Sequence, residues 1–162
     1  MGQILRSLAN GNMLLLTQRS ASHSFALAAM RAWWPDIVVV NEGHPACYLP
    51  PEIFNGQEYL GMIVRNPIER FRSMVAHRPE KPLTEHLENP IYPPLPSIKY
   101  GKYFCFETEL NACAEWLGLP IPLPHEDASN PALKPNLTLE QENIVRQIYA
   151  DDFILWESLN NF

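Results

Sequence analysis

Residues 59–77 read YLGMIVRNPIERFRSMVAH, and this stretch restricts the fold more than any other in the chain. The apolar run at 60–64 has the length and continuity of a strand covered on both faces. It ends abruptly in Arg65. Asn66 and Pro67 follow, a good N-cap and an imino acid suited to the first helical position, so the text predicts a helix over 67–77. Ile68, Phe71, Met74 and Val75 fall on one apolar side of that helix. A positive charge therefore stands where a buried strand hands over to a helix. In open α/β sheets that edge is where ligands bind. A guanidinium suits phosphate there, with a planar fork of donors and a charge that does not titrate away.

The rest of the chain repeats the pattern. Strands are expected at 13–17 (MLLLT), 37–40 (IVVV), 59–64 and 103–106, and helices at 24–34, 67–77, 107–117 and from Thr138 onward. Gln141 stands three residues after Thr138 as a capping-box partner. Residues 1–10 read as a lead-in, and 18–22, 41–51 and 119–136 as loops. The proline-rich stretch 79–97 reads as an irregular excursion over the surface. Continuous apolar strands separated by helices predict a single α/β domain over 1–162: three layers, a mostly parallel central sheet flanked by helices.

Charge narrows the function. A net charge of -6 argues against a general nucleic-acid binder. It leaves room for a small anion, because local fields decide that. Arg65, Arg70, Arg72 and Arg78 are concentrated in one stretch of this acidic chain. Three cysteines without paired spacing indicate neither a disulfide framework nor a zinc site, which favours a reducing, cytoplasmic setting. No segment reads as a signal peptide or membrane span.

Three places could carry chemistry. In LLLTQRSASHS, residues 14–24, a buried strand runs into a small-residue turn and a helix, the general form of a phosphate cradle. Arg19 adds charge there, and Ser20, Ser22 and Ser24 add hydroxyls; no Walker sequence is present. The second place is Arg65 with Ser73. The third is His44, in a loop after the second expected strand, where an imidazole can serve as general base.

The order and spacing of these three places resemble the sulfotransferases that use 3'-phosphoadenosine 5'-phosphosulfate (PAPS). Arg19-Ser20-Ala21-Ser22-His23 falls where that family has a loop similar to Lys-Ser-Gly-Thr-Thr, which cradles the 5'-phosphosulfate. RNPIERFRS looks much like the family's second motif, an Arg after a strand with a Ser eight residues on, both binding the 3'-phosphate; Arg65 and Ser73 match. His44 lies twenty-one residues before Arg65, close to the spacing of the family's catalytic His. YFCFETELNACAEWLGLP resembles a later strand, acidic turn and helix, with Phe106 at the position that can lie against adenine. The C-terminal helices resemble those of the carbohydrate and bacterial branches. The chain departs from the pattern with Arg19 for the usual Lys, Ala21 for a Gly and Ser24 for a frequent Trp, and it lacks the Gly-rich basic loop of some members. At 162 residues it is short for the family, which implies a reduced acceptor pocket.

The resemblance implies a P-loop NTPase-like fold of the sulfotransferase type. It implies an enzyme that moves a sulfuryl group from PAPS to an acceptor hydroxyl, of a small molecule or a carbohydrate, leaving adenosine 3',5'-bisphosphate and using no metal. His44 would take the acceptor proton, and Arg19 would stabilise charge developing on the transferred group. Ser20, Ala21, Ser22 and His23 would hold the 5' end of the donor, Arg65 and Ser73 the 3'-phosphate, and Phe106 the base. Two alternatives stand beside it: a non-catalytic relative that binds a nucleotide or a partner, and a P-loop phosphotransferase. The residues do not specify the acceptor or the oligomeric state.

Overall fold

The computed structural model describes residues 3–17, 19–36, 39–41, 44–45, 48–49, 60–92, 94–95, 101–124 and 129–160. The elements in chain order are β1 (Gln3–Arg6), β2 (Met13–Leu16), α1 (Ser22–Trp33), β3 (Val39–Asn41), β4 (His44–Pro45), β5 (Tyr48–Leu49), β6 (Leu60–Val64), α2 (Pro67–His77), α3 (Leu83–Glu88), β7 (Gly101–Cys105), α4 (Leu110–Trp116), α5 (Leu139–Ile148) and α6 (Ala150–Asn160). A short 3-10 turn, Pro131–Leu133, lies between α4 and α5.

Five strands form the main sheet in the order β5-β1-β2-β6-β7. β2, β6 and β7 are mutually parallel. β1 runs antiparallel to both β2 and β5, so four strands share one direction and β1 opposes them. The chain is thus α/β with a mostly parallel sheet. Side chains alternate between its two faces, as the pleat requires. Leu5, Leu14, Leu16, Ile63 and Phe104 point to one side, where Phe25, Ala26, Ala28 and Ala29 of α1 and Cys113 and Ala114 of α4 pack on them. Ile4, Met13, Leu15, Leu60, Met62 and Val64 point to the other, against Leu155, Trp156 and Leu159 of α6. A further cluster joins Phe71, Met74 and Val75 of α2 to Val145, Tyr149 and Phe153. Each fully buried side chain of the size of Phe25 or Phe71 contributes about 1.5–3 kcal/mol. Gly61 lies in β6 for a reason of space: a Cβ there would come within 2.7 Å of the Trp116 ring.

Several expectations change. Residues 1–10 are not a lead-in: β1 occupies an interior position, and Ile4 and Leu5, on opposite faces, are both fully buried. Of the strand expected at 37–40, residues 37–38 lie outside the described residues; Val39–Asn41 pairs with β4 in a separate two-stranded sheet instead of joining the central one. β4 and β5 fall in the expected loop 41–51. The proline-rich excursion contains α3, begun after Pro82 and held by the fully buried His86, whose Nε2 lies 3.2 Å from the Arg78 carbonyl. The helix expected from 107 starts at Leu110, because the Glu109 carboxylate turns back to accept the Cys105 amide at 2.9 Å. The last helix is two helices, separated at Tyr149, whose buried ring donates its hydroxyl proton to the Tyr92 carbonyl at 2.8 Å. The expected α2 has the bounds read from the sequence, and Thr138 and Gln141 form the capping box. Among the described residues no helix is long and apolar enough to cross a membrane.

Candidate functional site

Strand pairing builds the site. Leu15 of β2 lies beside Met62 of β6, and Val64 of β6 beside Cys105 of β7. The three strands run the same way, so the segments after their carboxyl ends emerge at one edge of the sheet. Those segments carry Arg19, Arg65 and Phe106. The Phe106 amide continues the ladder by donating to the Val64 carbonyl at 2.9 Å.

The loop after β2 folds tightly. Arg19 (φ 58°) and Ala21 (φ 66°) both take the left-handed conformation, which costs a non-glycine residue about 1–2 kcal/mol. Ala21 sits in the N-cap position of α1 and supplies no side-chain cap. Glycine would enter this conformation without the Cβ penalty. Ser20 lies between the two strained residues; it is buried, and its Oγ has no partner among the described residues. The Thr17 hydroxyl is likewise buried and unpartnered. Such atoms mark places where a further acceptor or donor belongs.

The junction after β6 is firmly held. The Asn66 side chain accepts from the Ile68 amide at 2.9 Å, capping α2. The Asn66 amide donates to Glu107 Oε1 at 2.7 Å, tying the junction to the turn after β7. Arg65 reaches back and donates Nη1–H to the Arg19 carbonyl at 3.0 Å. Its guanidinium lies 4.4 Å from the centre of the Phe106 ring, a cation–π contact. Phe106 is therefore a platform for Arg65, with one ring face already covered.

The Arg19 side chain crosses to α2. Its Nε donates to Ser73 Oγ at 3.0 Å, and its Nη2 donates to Ser129 Oγ at 2.7 Å. The two serine hydroxyls lie 2.5 Å apart. The cradle after β2 and the Arg65–Ser73 pair thus meet, and the two anion sites expected from the sequence are contiguous.

They open on one cavity of about 710 Å³. Of the residues expected to act, Arg19, Ala21, Ser22, His23, Arg65, Ser73 and Phe106 line it. Ser20 does not. His44 belongs to β4, which packs against α1, but its side chain lies outside the described residues.

Among the lining residues that the sequence reading did not single out are Ser129 and Lys134. Both lie in the expected loop 119–136, whose sequence carries no signal for chemistry. The structure fixes residues 129–135 over α2. Arg72 Nε donates to the Pro135 carbonyl at 2.8 Å while its Nη1 pairs with Glu69 at 2.7 Å. The Asn130 side chain accepts from the Ala132 amide at 3.0 Å and caps the 3-10 turn.

The electrostatics suit an anion. Burial pushes the Arg65 pKa down, and Glu69 and Glu107 oppose that shift. Lys134 is also pushed down, first by desolvation, then by Arg65, Arg72 and Arg19, with Glu69 opposing. Arg19 and Arg65 each disfavour the charged state of Lys134, and Arg19 does the same to Arg65. A bound anion relieves that repulsion. Leu110, Pro122, Leu123 and Pro124 give the same cavity an apolar lining. Among the described residues no group of three or more His, Cys, Asp or Glu is placed to hold a metal ion. The arrangement brings cationic and apolar lining into one cavity, a combination suited to a ligand with both anionic and apolar parts. No protein-family model, curated protein or solved structure matches this chain.

Proposed function

We propose that this chain is a sulfotransferase-like protein that binds PAPS and transfers its sulfuryl group to an acceptor hydroxyl. The fold is read accordingly as the P-loop-like, sulfotransferase type: β2, its turn and α1 form the 5' cradle, and β6, Arg65 and α2 form the 3' site. One observation carries the reading. Arg19, distant in sequence from Arg65 and Ser73, and those two residues, all singled out from the sequence, line one cavity, and Arg19 bonds directly to Ser73.

The mutually repelling cations Arg19, Arg65 and Lys134 along the cavity fit an anionic donor. The donor supplies the activated sulfuryl group. The chain's own residues hold and orient it: Arg65 and Ser73 take the 3'-phosphate, and the α1 amino end with Ser22 takes the 5' end. Arg19, whose guanidinium bonds to Ser73 and Ser129, contributes fixed positive charge and cannot donate a proton at neutral pH. His44 is the proposed acceptor of the hydroxyl proton. The acceptor is a small molecule or a carbohydrate, and the Pro122–Pro124 lining is the proposed place for it; the 79–92 segment packs on α5 and α6 and does not line the cavity.

A second reading, a binding protein without transfer, is favoured by one contact set. The Arg19 guanidinium bonds to Ser73 and Ser129, at the 3' end of the cavity, where it serves binding. A thermal-shift screen of adenine nucleotides, followed by transfer of labelled sulfuryl groups from PAPS to a panel of hydroxyl acceptors, tests both. Stabilisation specific to 3'-phosphorylated nucleotides together with transfer supports the enzyme. Stabilisation with no transfer to any acceptor supports the binder. Equal response to adenosine monophosphate and the bisphosphate contradicts both.

A further inference from the structure

We infer that Lys134 is a site of covalent acylation by acyl phosphates, small anions that carry an activated acyl group. The inference stands apart from the nucleotide reading, because it needs only a cavity that attracts anions and an amine inside it.

Lys134 follows the 3-10 turn and lines the same cavity as Arg65. Its backbone is held on both sides. Its own amide donates to the Pro131 carbonyl at 3.3 Å, and Arg72 Nε donates to the next carbonyl, that of Pro135, at 2.8 Å. Among the described residues its side chain forms no ion pair. Glu69, an acid that favours its ammonium form, already holds Arg72 at 2.7 Å. Desolvation disfavours that form most, and Arg65, Arg72 and Arg19 add to the effect. An amine set beside fixed cations keeps more of its nucleophilic neutral form than a lysine in open solvent. Lys81 and Lys102 are placed differently. Lys81 pairs with Glu85 at 3.6 Å, and the exposed Lys102 lies 5.3 Å from the centre of the Phe104 ring; neither lines the cavity.

The cavity also concentrates the electrophile. Arg65 spends one Nη1–H on the Arg19 carbonyl and has further N–H donors for a phosphoryl oxygen. The Lys134 nitrogen lone pair attacks the acyl carbon. The bond from that carbon to the bridging oxygen breaks, inorganic phosphate leaves with the electron pair, and the nitrogen releases a proton to water. The product is an amide. It removes one positive charge from the cavity, and phosphate-bearing ligands then bind more weakly.

The test is incubation of the full chain with acetyl phosphate, with lysine acetylation followed over time by peptide mass spectrometry. Lys134 is expected to react about tenfold faster than Lys81 or Lys102. Excess inorganic phosphate should slow Lys134 and leave Lys81 unaffected. Arg65→Ala, checked for folding by a melting curve, should bring Lys134 down toward Lys81. With acetic anhydride, which carries no charge, the advantage of Lys134 should shrink. Equal rates at Lys134 and Lys81 overturn the inference. A fast Lys134 that ignores phosphate, keeps its full advantage with acetic anhydride, or is unchanged in folded Arg65→Ala overturns it too, because the cavity then guides no anion. If Arg65→Ala does not fold, the phosphate and anhydride comparisons on the wild type decide. A chain acetylated as expected but indifferent to adenine nucleotides keeps the inference and removes the nucleotide reading. A chain that binds adenosine 3',5'-bisphosphate but shows no preference for Lys134 does the reverse.

Discussion

Arg19 and Ser73 stand 54 positions apart in the chain, yet Arg19 Nε donates to Ser73 Oγ across 3.0 Å. The contact exists because β2 and β6 are parallel neighbours, so the turn after one faces the helix after the other. It joins what the sequence presents as two anion sites into one.

Arg65 has two duties in that site. It orders the cradle through the Arg19 carbonyl and presents its remaining donors over Phe106. Arg65→Ala should weaken adenosine 3',5'-bisphosphate by about 1.5–3 kcal/mol, the range for hydrogen bonds to charged groups. Arg65→Lys should recover only part of this, because an ammonium has neither the fork nor the flat face. Calorimetry decides; a lysine variant equal to the wild type would mean that charge alone matters.

Ala21 occupies a glycine conformation. Ala21→Gly should therefore stabilise the chain by up to about 1 kcal/mol, after the entropy of the more flexible unfolded state is subtracted. For a chain of this size that corresponds to a rise in Tm of about 2–4 °C. A fall in Tm would show that residue 21 is not strained.

Lys134 separates stability from binding. Its pKa is lowered in the folded chain, so the unfolded chain holds that proton more tightly, and this residue's contribution favours folding more as pH rises through its titration. Lys134→Gln should leave the ligand-free protein as stable or more stable near neutral pH, while phosphate-bearing ligands bind about 3- to 5-fold more weakly. Parallel melts and titrations check both signs. Loss of stability together with loss of binding would make Lys134 a structural residue instead.

Asp152 is buried, lies 3.8 Å from the buried Arg70, and accepts the Leu95 amide at 3.1 Å. Asp152→Ala would remove the buried Arg70–Asp152 pair and the carboxylate that accepts the Leu95 amide. The expected cost is about 3–5 kcal/mol. Burial raises the Asp152 pKa, against the opposing Leu95 bond and Arg70. The folded chain thus takes up this proton more readily than the unfolded chain. The contribution is fully present at low pH, below the unfolded pKa, and is lost as pH rises through the folded one. Chemical denaturation across acid pH should show that slope in the wild type and its absence in Asp152→Asn.

The sequence was most readable where one short signal sufficed. Asn66-Pro67 fixed both the start of α2 and the place of Arg65, because capping is local. β1 was hidden because QILR carries only two apolar residues, and its burial comes from β2 and β5 on either side. The 37–40 run has the composition of a core strand, but its described part, from Val39, pairs with β4, and pairing is not local information. Ser129 and Lys134 were invisible for a similar reason. Nothing in SNPALK announces a ligand, and the segment acquires its place only when Arg72 binds the Pro135 carbonyl. Arg19, by contrast, was legible as a charge in a cradle, but its reach to Ser73 needed the sheet order.

The most direct measurement is a crystal structure of the chain with adenosine 3',5'-bisphosphate. The account predicts the 3'-phosphate within hydrogen-bonding distance, about 3 Å, of Ser73 Oγ and the Arg65 guanidinium, and the 5'-phosphate at the amino end of α1. A nucleotide bound elsewhere, or a cavity between Arg19 and Arg65 left empty at saturating ligand, would contradict it.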